Sequence, residues 1–485
     1  MSMRRRHEQS ADLVVPANFI RAVRESGYLS ISTALAELVD NSLQAGAANV
    51  AIDVRMSGQE GLPEISVVDD GDGMSPSDLE ACLRFGGSSR FDARQSFGRF
   101  GMGLPAASLS QARRAEVTSW QGGNPKYRVT LDVDEVATGA EPALVAAQVG
   151  PSSTVAGTCV RWLQCDRIEY RRLAWLERAL RRDLGRMYRR FLGDGLRLTI
   201  NDTIVPPVDP LLLESRVDGA SAALAFEPLR YELETESGDT SIVIVRFSVL
   251  PVHRWHQLNN VTKRRAGIVG GGGVSVLRAG REIANGWHLM GGKRRENYDD
   301  WWRCEIEFDP ILDEHFGITI NKQGIRPSAA LREAIEPELE SIARLLNARV
   351  RRAFEDVKFQ AAAEKSCRIA AAADPDLPLI PSRGGSGSLR YQIASEALPM
   401  TVMFKSHLAR RTLDLTINAD HPAFVALYQP LQGIEGDAAA NLRTSIELLL
   451  LSFARSAAQL ERDGHHVDDL LETWSATYGR MLQKS

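Results

Sequence analysis

The sequence predicts an α+β protein with more than one domain, and three observations lead to that fold class. The N-terminal part combines a helix-forming stretch around Glu37 with a strand-like apolar run, Ile65 to Val68, and a helix-like stretch, Leu104 to Leu109. Strand signals then recur from Ser241 to Phe308, ahead of a long helix-like segment that starts at Ala329 and ends near Val357. The 485 residues, 44% of them hydrophobic and 25% charged, suffice for two or three domains with cores of their own.

Glu37 and Asn41 lie in the first of three short segments that together describe a nucleotide site. In AELVDNS they stand one helical turn apart, so both side chains project from one face of a helix. A carboxylate and an amide in that arrangement can hold a water and a metal ion. Taken alone, such a pair is more often part of a solvated helix face.

The second segment, VVDDGDGM, delivers Asp69 to the end of a strand and follows it with Gly71 and Gly73. A carboxylate accepts hydrogen bonds only, so Asp69 suits the exocyclic amine of adenine, and the glycines leave room for the flat ring. Taken alone, Asp-Gly-Asp-Gly is most often a plain turn.

The third segment, FGRFGMGL, can turn backbone N–H groups toward phosphates just before the helix that starts at Leu104. Its glycines are Gly98, Gly101 and Gly103. A glycine-rich loop alone is usually a lid or a linker. The occurrence of all three motifs in this order, however, is hard to explain by chance. Together they supply candidate partners for base, metal and phosphate.

With these motifs the sequence resembles the GHKL ATPases, the superfamily of DNA gyrase, heat-shock chaperones, histidine kinases and MutL. A fourth motif of that superfamily, a Gly-Thr pair before a strand, is matched by Gly157-Thr158 ahead of CVRW. The spelling AELVDNS with GRFGMGL downstream looks most like the MORC and MutL-like branch and its bacterial relatives. The resemblance covers about residues 15 to 330. It implies a Bergerat-type α/β sandwich ATPase domain, then an α/β transducer domain, with a small α+β module at the C-terminus.

The resemblance also implies a role for each motif residue. Glu37 would be the general base that deprotonates the attacking water, Asn41 a ligand of Mg²⁺, and Lys322 in FGITINKQGIRPS a transducer lysine that reaches the γ-phosphate. The alternative for Lys322 is a surface lysine in a strand-to-helix turn. Many members have an acidic residue where Gln44 stands, a supporting position. The implied nucleotide-binding set is Asn41, Asp69, Gly71, Gly73, Met74, Gly98, Gly101, Gly103, Leu104 and Thr158, with Gly86 and Gly87 as hinges of the lid.

The domain boundaries follow from the motifs and from composition. We expect an ATPase domain over 13–168, a connecting helix over 169–192 and a transducer-like domain over 193–360. A linker is expected over 361–390, because residues 374–388 are rich in Pro, Gly and Ser. The remaining residues, 391–485, have the pattern of a strand pair, Thr401 to Phe404 and Leu413 to Ile417, followed by two helices.

A net charge of −4 argues against a globally basic nucleic-acid binder, so any DNA contact must come from local patches. The strongest candidate is the arginine-rich, helix-like stretch from Tyr170 to Leu192, where we favour a buried apolar seam with a solvated arginine face over a phosphate-contacting helix. Two smaller clusters, Lys263 to Arg265 and Lys293 to Arg295, flank a run of glycines. The cysteines form no C-x-x-C pair, so we expect no zinc site. No apolar run is long enough to span a bilayer, so we expect a cytoplasmic protein.

The predicted function is an ATP-binding, Mg²⁺-dependent ATPase whose lid closure drives dimerisation. One hypothesis, from the MORC and MutL resemblance, is a homodimer that clamps or remodels double-stranded DNA, with genome defence as its setting. The alternative is a chaperone-like or scaffold ATPase that uses ATP closure to hold a protein partner. A histidine kinase fits less well, because only His7 precedes the first motif.

Overall fold

The computed structural model describes residues 16–28, 30–57, 61–87, 102–137, 144–170, 172–235, 237–318, 324–378, 380, 388–432, 437–462, 464, 467–472 and 475. The chain divides into two compact units. The first consists of Met1–Pro251 and Gln257–Leu346, and the second of Val252–His256 and Asn347–Ser485. Helices and mixed sheets occur in both, which confirms the predicted α+β class.

The first unit contains a large sheet whose described strands follow the order β5-β4-β3-β6-β2-β1-β7-β8. Neighbouring strands are antiparallel except for β1 and β7, which run parallel. The strands are β1 (Asn49–Met56), β2 (Pro63–Asp69), β3 (Arg114–Trp120), β4 (Pro125–Asp132), β5 (Ala147–Ser152), β6 (Gly157–Leu163), β7 (Arg197–Ile200) and β8 (Thr203–Ile204).

Helices bury the apolar residues of this sheet. They are α1 (Pro16–Ser26), α2 (Ile31–Gln44), α3 (Pro76–Cys82), α4 (Gly103–Gln111), α5 (Val133–Ala137), α6 (Leu173–Met187) and α7 (Arg189–Gly193). Alternate residues of β1, such as Ile52 and Val54, are buried together with Leu35 and Val39 of α2 in one core. Burial of this alternating pattern fixes which face of each strand packs against the helices.

The same unit contains a second sheet of order β10-β11-β14-β12-β13, with β9 paired to β11. The strands are β9 (Ala223–Leu224), β10 (Leu229–Glu234), β11 (Thr240–Val249), β12 (Val274–Arg278), β13 (Arg281–Gly286) and β14 (Trp302–Phe308). The helices near it in the chain are α8 (Val252–Trp255), α9 (Asn260–Arg265), α10 (Asp313–Phe316) and α11 (Ala329–Ala373). Leu331, Ile335 and Leu339 of α11 are buried with Val245 and Ile306 of the sheet.

The second unit has a three-stranded sheet of order β15-β17-β16. Its elements are β15 (Arg390–Glu396), β16 (Phe404–Ala409), β17 (Thr412–Asn418), α12 (Pro422–Leu427), α13 (Gln429–Gln432) and α14 (Asp437–Arg462). Leu413, Leu415 and Ile417 on one face of β17 are buried with Leu450 and Ala454 of α14. None of the described helices combines the length and the apolar composition that a bilayer-spanning segment needs.

Several sequence expectations need correction at the level of elements. The stretch Tyr170 to Leu192 is two helices, because the backbone of Tyr188 leaves helical geometry between α6 and α7. Helix α11 begins at Ala329 as predicted but continues to Ala373, into the segment predicted as a linker. The strand expected at Thr401 to Phe404 begins only at Phe404, and β15 was not anticipated.

Candidate nucleotide site

Helix α2 presents the first predicted pair. Ser30 caps its N-terminus by accepting a hydrogen bond from Thr33 N at 3.2 Å, and the apolar face of the helix is buried in the core. Glu37 is only 4% exposed, whereas Asn41, one turn further along, is half-buried. A carboxylate held out of water this far from the helix ends needs partners from other elements.

Tyr28 and Gly103 contact the carboxylate of Glu37. Tyr28 Oη donates a hydrogen bond to Glu37 Oε2 at 3.2 Å. A Cβ on Gly103, the first residue of α4, would lie 2.5 Å from Glu37 Cδ, so only glycine leaves room for the carboxyl group. Burial, followed by the charge of Glu37, raises the pKa of Tyr28, so this phenol remains a donor. Glu37 is therefore fixed between the segment before α2 and the start of α4.

Asp69, the last residue of β2, is held by donors from three elements. Ser42 Oγ of α2 donates to Asp69 Oδ2 at 2.9 Å, and Gly71 N donates to Oδ1 at 3.0 Å. In the sheet register Asp69 lies opposite Thr158 of β6. Burial raises the pKa of Asp69, while the hydrogen bonds from Gly71, Ser42 and the Thr158 backbone oppose that rise.

Close backbone packing explains two glycines of the second segment. A Cβ on Gly71 would lie 2.8 Å from the carbonyl oxygen of Ala45, at the end of α2. Gly73 has φ of +71° and passes the backbone of Trp120, whose carbonyl carbon would lie 2.8 Å from an added Cβ. The left-handed conformation and the clash both exclude a side chain at Gly73.

Ser119 of β3 joins the second and fourth motifs and was not predicted. Its Oγ accepts a hydrogen bond from Met74 N at 2.8 Å and lies 2.9 Å from Thr158 Oγ1. Ser119 is fully buried and pairs with Thr158 across β3 and β6. Its role depends on that strand register, for which the sequence carries no local signal. Ser42 was also missed, although it directly follows Asn41 in the first motif.

The predicted site residues fall into two groups. Those that the structure describes all belong to the first unit, at the C-terminal half of α2, the end of β2, the start of α4 and the start of β6: Glu37, Asn41, Asp69, Gly71, Gly73, Met74, Gly103, Leu104 and Thr158. Gly98, Gly101 and Lys322 lie outside the described residues. Of the suggested hinges, Gly86 has φ of +77° and Gly87 does not have a positive φ.

Over α6 the arginine-rich stretch has the favoured form, with a buried seam of Leu176, Leu180 and Leu184 and with Arg178 and Arg182 exposed. It departs from that form at its C-terminal end, where arginines pair with the second sheet. Arg189 is buried and bridges two carboxylates of the second sheet, with Nη1 3.0 Å from Glu282 Oε2 and Nη2 2.7 Å from Glu305 Oε2. Arg186 pairs with Glu282, and Arg190 with Glu305. Arg189 is therefore an internal residue rather than part of the solvated face, and Arg186 and Arg190 are engaged by carboxylates of the second sheet. Among the predicted clusters, Lys293 Nζ is also buried, 2.6 Å from Asp299 Oδ1.

Comparisons with known proteins identify the N-terminal region. Residues 29–155 match the family model described as histidine kinase-, DNA gyrase B-, and HSP90-like ATPase. A stretch of 106 residues is 35% identical to Protein MICRORCHIDIA 5 of Arabidopsis thaliana. That alignment covers 20% of this chain and 15% of the plant protein, so the chain spans a small part of the relative it matches.

Proposed function

We propose that this chain hydrolyses ATP with Mg²⁺, with Glu37 as the general base, because residues 29–155 match the GHKL-type ATPase family and part of the chain is similar to a MORC protein. ATP binding as such follows from the family of the domain. The assignment of roles to single residues is our proposal, as are the metal and the consequence of hydrolysis.

The observation that carries the proposal is the environment of Glu37. Its carboxylate is nearly excluded from water and is held by a hydrogen bond from Tyr28, and it faces the glycine at the start of α4. A general base held in this way can orient a water and take its proton without losing side-chain order.

The described residues fit a magnesium ion that is held mainly by the nucleotide. Mg²⁺ usually binds through one or two protein oxygens and otherwise through phosphates and waters. Asn41 offers one amide oxygen, one turn from Glu37 and on the same face of α2. Within the described part of the chain no cluster of three or more His, Cys, Asp or Glu side chains forms a separate metal site. When bound, the ion would neutralise charge on the phosphates.

We propose that ATP closes the lid, joins two copies of the chain and engages double-stranded DNA, with genome defence as the setting. The amino-acid sequences of the motifs, which resemble those of MORC and MutL-like proteins, support this action on DNA. A second candidate, capture of a protein partner, is favoured by the ion pairs of Arg186, Arg189 and Arg190, because they engage three arginines of the strongest basic patch with carboxylates of the second sheet.

The test is sedimentation of Glu37→Ala with ATP and Mg²⁺, with and without double-stranded DNA, at low and moderate salt. We expect this variant to bind ATP, to stop hydrolysing it and to accumulate as a dimer. Co-sedimentation with DNA that weakens steeply with salt would support the DNA clamp, since phosphate contacts release counterions. An ATP-dependent dimer without DNA would support the protein partner, and a hydrolysis rate equal to wild type would refute Glu37 as the base.

A further inference from the structure

A second carboxylate on α2, Asp40, is fully buried and bound by a residue of the second sheet. Arg281 Nε lies 2.8 Å from Asp40 Oδ1. Tyr188, between α6 and α7, places its Oη 2.7 Å from the same oxygen and 2.6 Å from the Ala36 carbonyl oxygen. Asp40 directly precedes Asn41 and follows Glu37 by three residues. The pair therefore lies within one turn of the proposed general base and metal ligand.

The second sheet delivers Arg281 through a tight hairpin. Strands β12 and β13 are joined by Ala279 and Gly280, which both have positive φ, as a two-residue hairpin turn requires. Gly280 packs against Arg190 and Phe191 of α7, and a Cβ there would lie 3.5 Å from Arg190 Cβ. This packing fixes the hairpin end, from which Arg281 reaches α2.

Arg281 also balances charge at the site. Burial alone would lower its pKa, but Asp40, Tyr188 and Glu37 raise it, so the guanidinium stays charged. A buried carboxylate such as Asp40 is costly without a cation and hydrogen-bond donors. The same cation lies within electrostatic reach of Glu37, so a residue of the second sheet interacts with both α2 carboxylates.

We propose that Arg281 is a positioning residue for ATP hydrolysis, which acts through Asp40 to hold the turn of α2 that carries Glu37 and Asn41. Hydrolysis then depends on the second sheet being docked, although Arg281 does not itself touch the nucleotide. This inference rests on the proposed ATPase function. The adenine half of the site, at Asp69 and Thr158, lies on β2 and β6, where Gly71 N and the strand pairing hold Asp69 in addition to the hydrogen bond from Ser42 of α2.

Arg278, at the other strand of the same hairpin, provides a matched control. It forms a bidentate ion pair with Asp313 of α10, at 2.6 and 2.8 Å. Its side chain is 7% exposed, against 6% for Arg281. The two arginines thus have similar burial and similar partners, but Arg278 pairs away from α2. A general loss of stability would affect both positions, whereas a positioning effect belongs to Arg281.

The test compares Arg281→Lys and Arg281→Gln with Arg278→Lys and Arg278→Gln in the full chain. For each variant, kcat, ATP affinity, thermal unfolding and hydrogen exchange of the α2 amides are measured. We expect the Arg281 variants to lower kcat by about 10- to 100-fold, the scale of a misplacement near 1 Å, with ATP affinity within about threefold of wild type. Lysine keeps the buried charge, so Arg281→Lys remains informative if glutamine prevents folding.

Three outcomes are decisive. Faster exchange in α2 with a selective loss of kcat at Arg281, and near-normal kcat at Arg278, would support the inference. Equal effects at both arginines, in proportion to lost stability, would overturn it while leaving the ATPase proposal intact. If wild type hydrolyses ATP no faster than Glu37→Ala, the ATPase proposal fails and the inference fails with it.

Discussion

Asp69 and Asp70 are neighbours whose carboxyl groups have opposite environments. Burial raises the pKa of Asp69 despite its hydrogen bonds. Burial opposes a fall in the pKa of Asp70, but the Asn49 side chain and the backbone N–H groups of Asn49 and Ala48 hold that pKa below its usual value. Asp70 therefore stabilises the fold above its unfolded pKa and loses that contribution in acid. Asp69 does the reverse, favouring the fold at low pH and losing that contribution as pH rises through its raised pKa.

The raised pKa of Asp69 leads to a prediction for ATP binding. Only the ionised carboxylate is a pure acceptor for the adenine amine, so protonation of Asp69 should weaken ATP binding. As pH is lowered, ATP affinity should therefore begin to decrease at a higher pH than the pKa of an ordinary aspartate, about 3.9. Calorimetry of ATP binding from neutral to acidic pH measures the fall. Asp69→Asn should bind more weakly at neutral pH and show only the titration of ATP itself. An identical pH profile in both proteins would contradict the adenine role of Asp69.

Gly103 tests whether α4 fixes the general base. Alanine suits the first turn of a helix, but its Cβ would strike the Glu37 carboxyl group. We expect Gly103→Ala to lower kcat by about 10-fold or more, because Glu37 must move. The loss of stability caused by Gly103→Ala should be smaller in a Glu37→Ala background, which lacks the carboxyl atoms that the new Cβ would overlap. A double-mutant cycle on thermal unfolding measures this coupling, and additive costs would contradict the contact.

Gly73 and Gly46 separate conformational strain from steric overlap. Their φ values are +71° and +74°, but nothing lies within 4 Å of a Cβ at Gly46, whereas Trp120 blocks one at Gly73. We expect Gly46→Ala to cost about 1–2 kcal/mol in the free energy of unfolding and Gly73→Ala about 2–5 kcal/mol. Denaturant titration measures both. Equal losses of unfolding free energy in the two variants would show that the Trp120 backbone moves aside without an energetic penalty.

At the scale of elements, the arginines of α6 and α7 tie the helices of the first sheet to the second sheet. Burial alone would raise the pKa of Glu305, but Arg189, Arg190 and Arg246 hold it below its usual value, so Glu305 stays charged. Its stabilising contribution is present above the unfolded pKa and is lost as pH falls through the folded pKa. The C-terminal arginines of this stretch, Arg186, Arg189 and Arg190, therefore connect its helices to the second sheet within the first unit.

Arg189→Met should leave Glu282 and Glu305 short of a buried partner. We expect it to lower the free energy of unfolding by about 3–5 kcal/mol, the cost of breaking a buried ion pair from one side. Arg182→Ala is the control, because that side chain is 67% exposed and should change stability by less than about 1 kcal/mol. Thermal unfolding measures both. Similar losses would contradict the distinction between internal and solvated arginines on this stretch.

What the sequence could predict depends on how far apart the interacting residues lie in the chain. The helix-like stretch from Leu104 to Leu109 is predicted from a local pattern, and the structure confirms it as α4. Ser119 acts through strand register, Arg281 through the docking of the second sheet and Tyr28 through the fold of the segment before α2, none of which composition and periodicity encode. The apolar period also runs through the break at Tyr188, so periodicity did not predict the break, at which Tyr188 Oη contacts α2.

At the scale of the molecule, the described residues form separate cores in the two units. The cores of the two large sheets belong to the first unit, and the core of the three-stranded sheet belongs to the second. The described residues of the proposed nucleotide site belong to the first unit, so ATP binding should depend on the stability of that unit. This is the basis on which we propose the segment 391–485 as a module of its own.

Leu415→Ala tests that independence. Leu415 is buried in β17, and its truncation should cost about 2–5 kcal/mol in the second unit. Hydrogen exchange resolved by segment should show the loss in β15 to β17 and α14, while calorimetry shows unchanged ATP affinity. Leu35→Ala, an equally buried leucine on α2, should instead weaken ATP binding. If Leu415→Ala weakened ATP binding as much as Leu35→Ala does, the two units would share one cooperative stability, and the module would be part of the ATPase rather than an attachment to it.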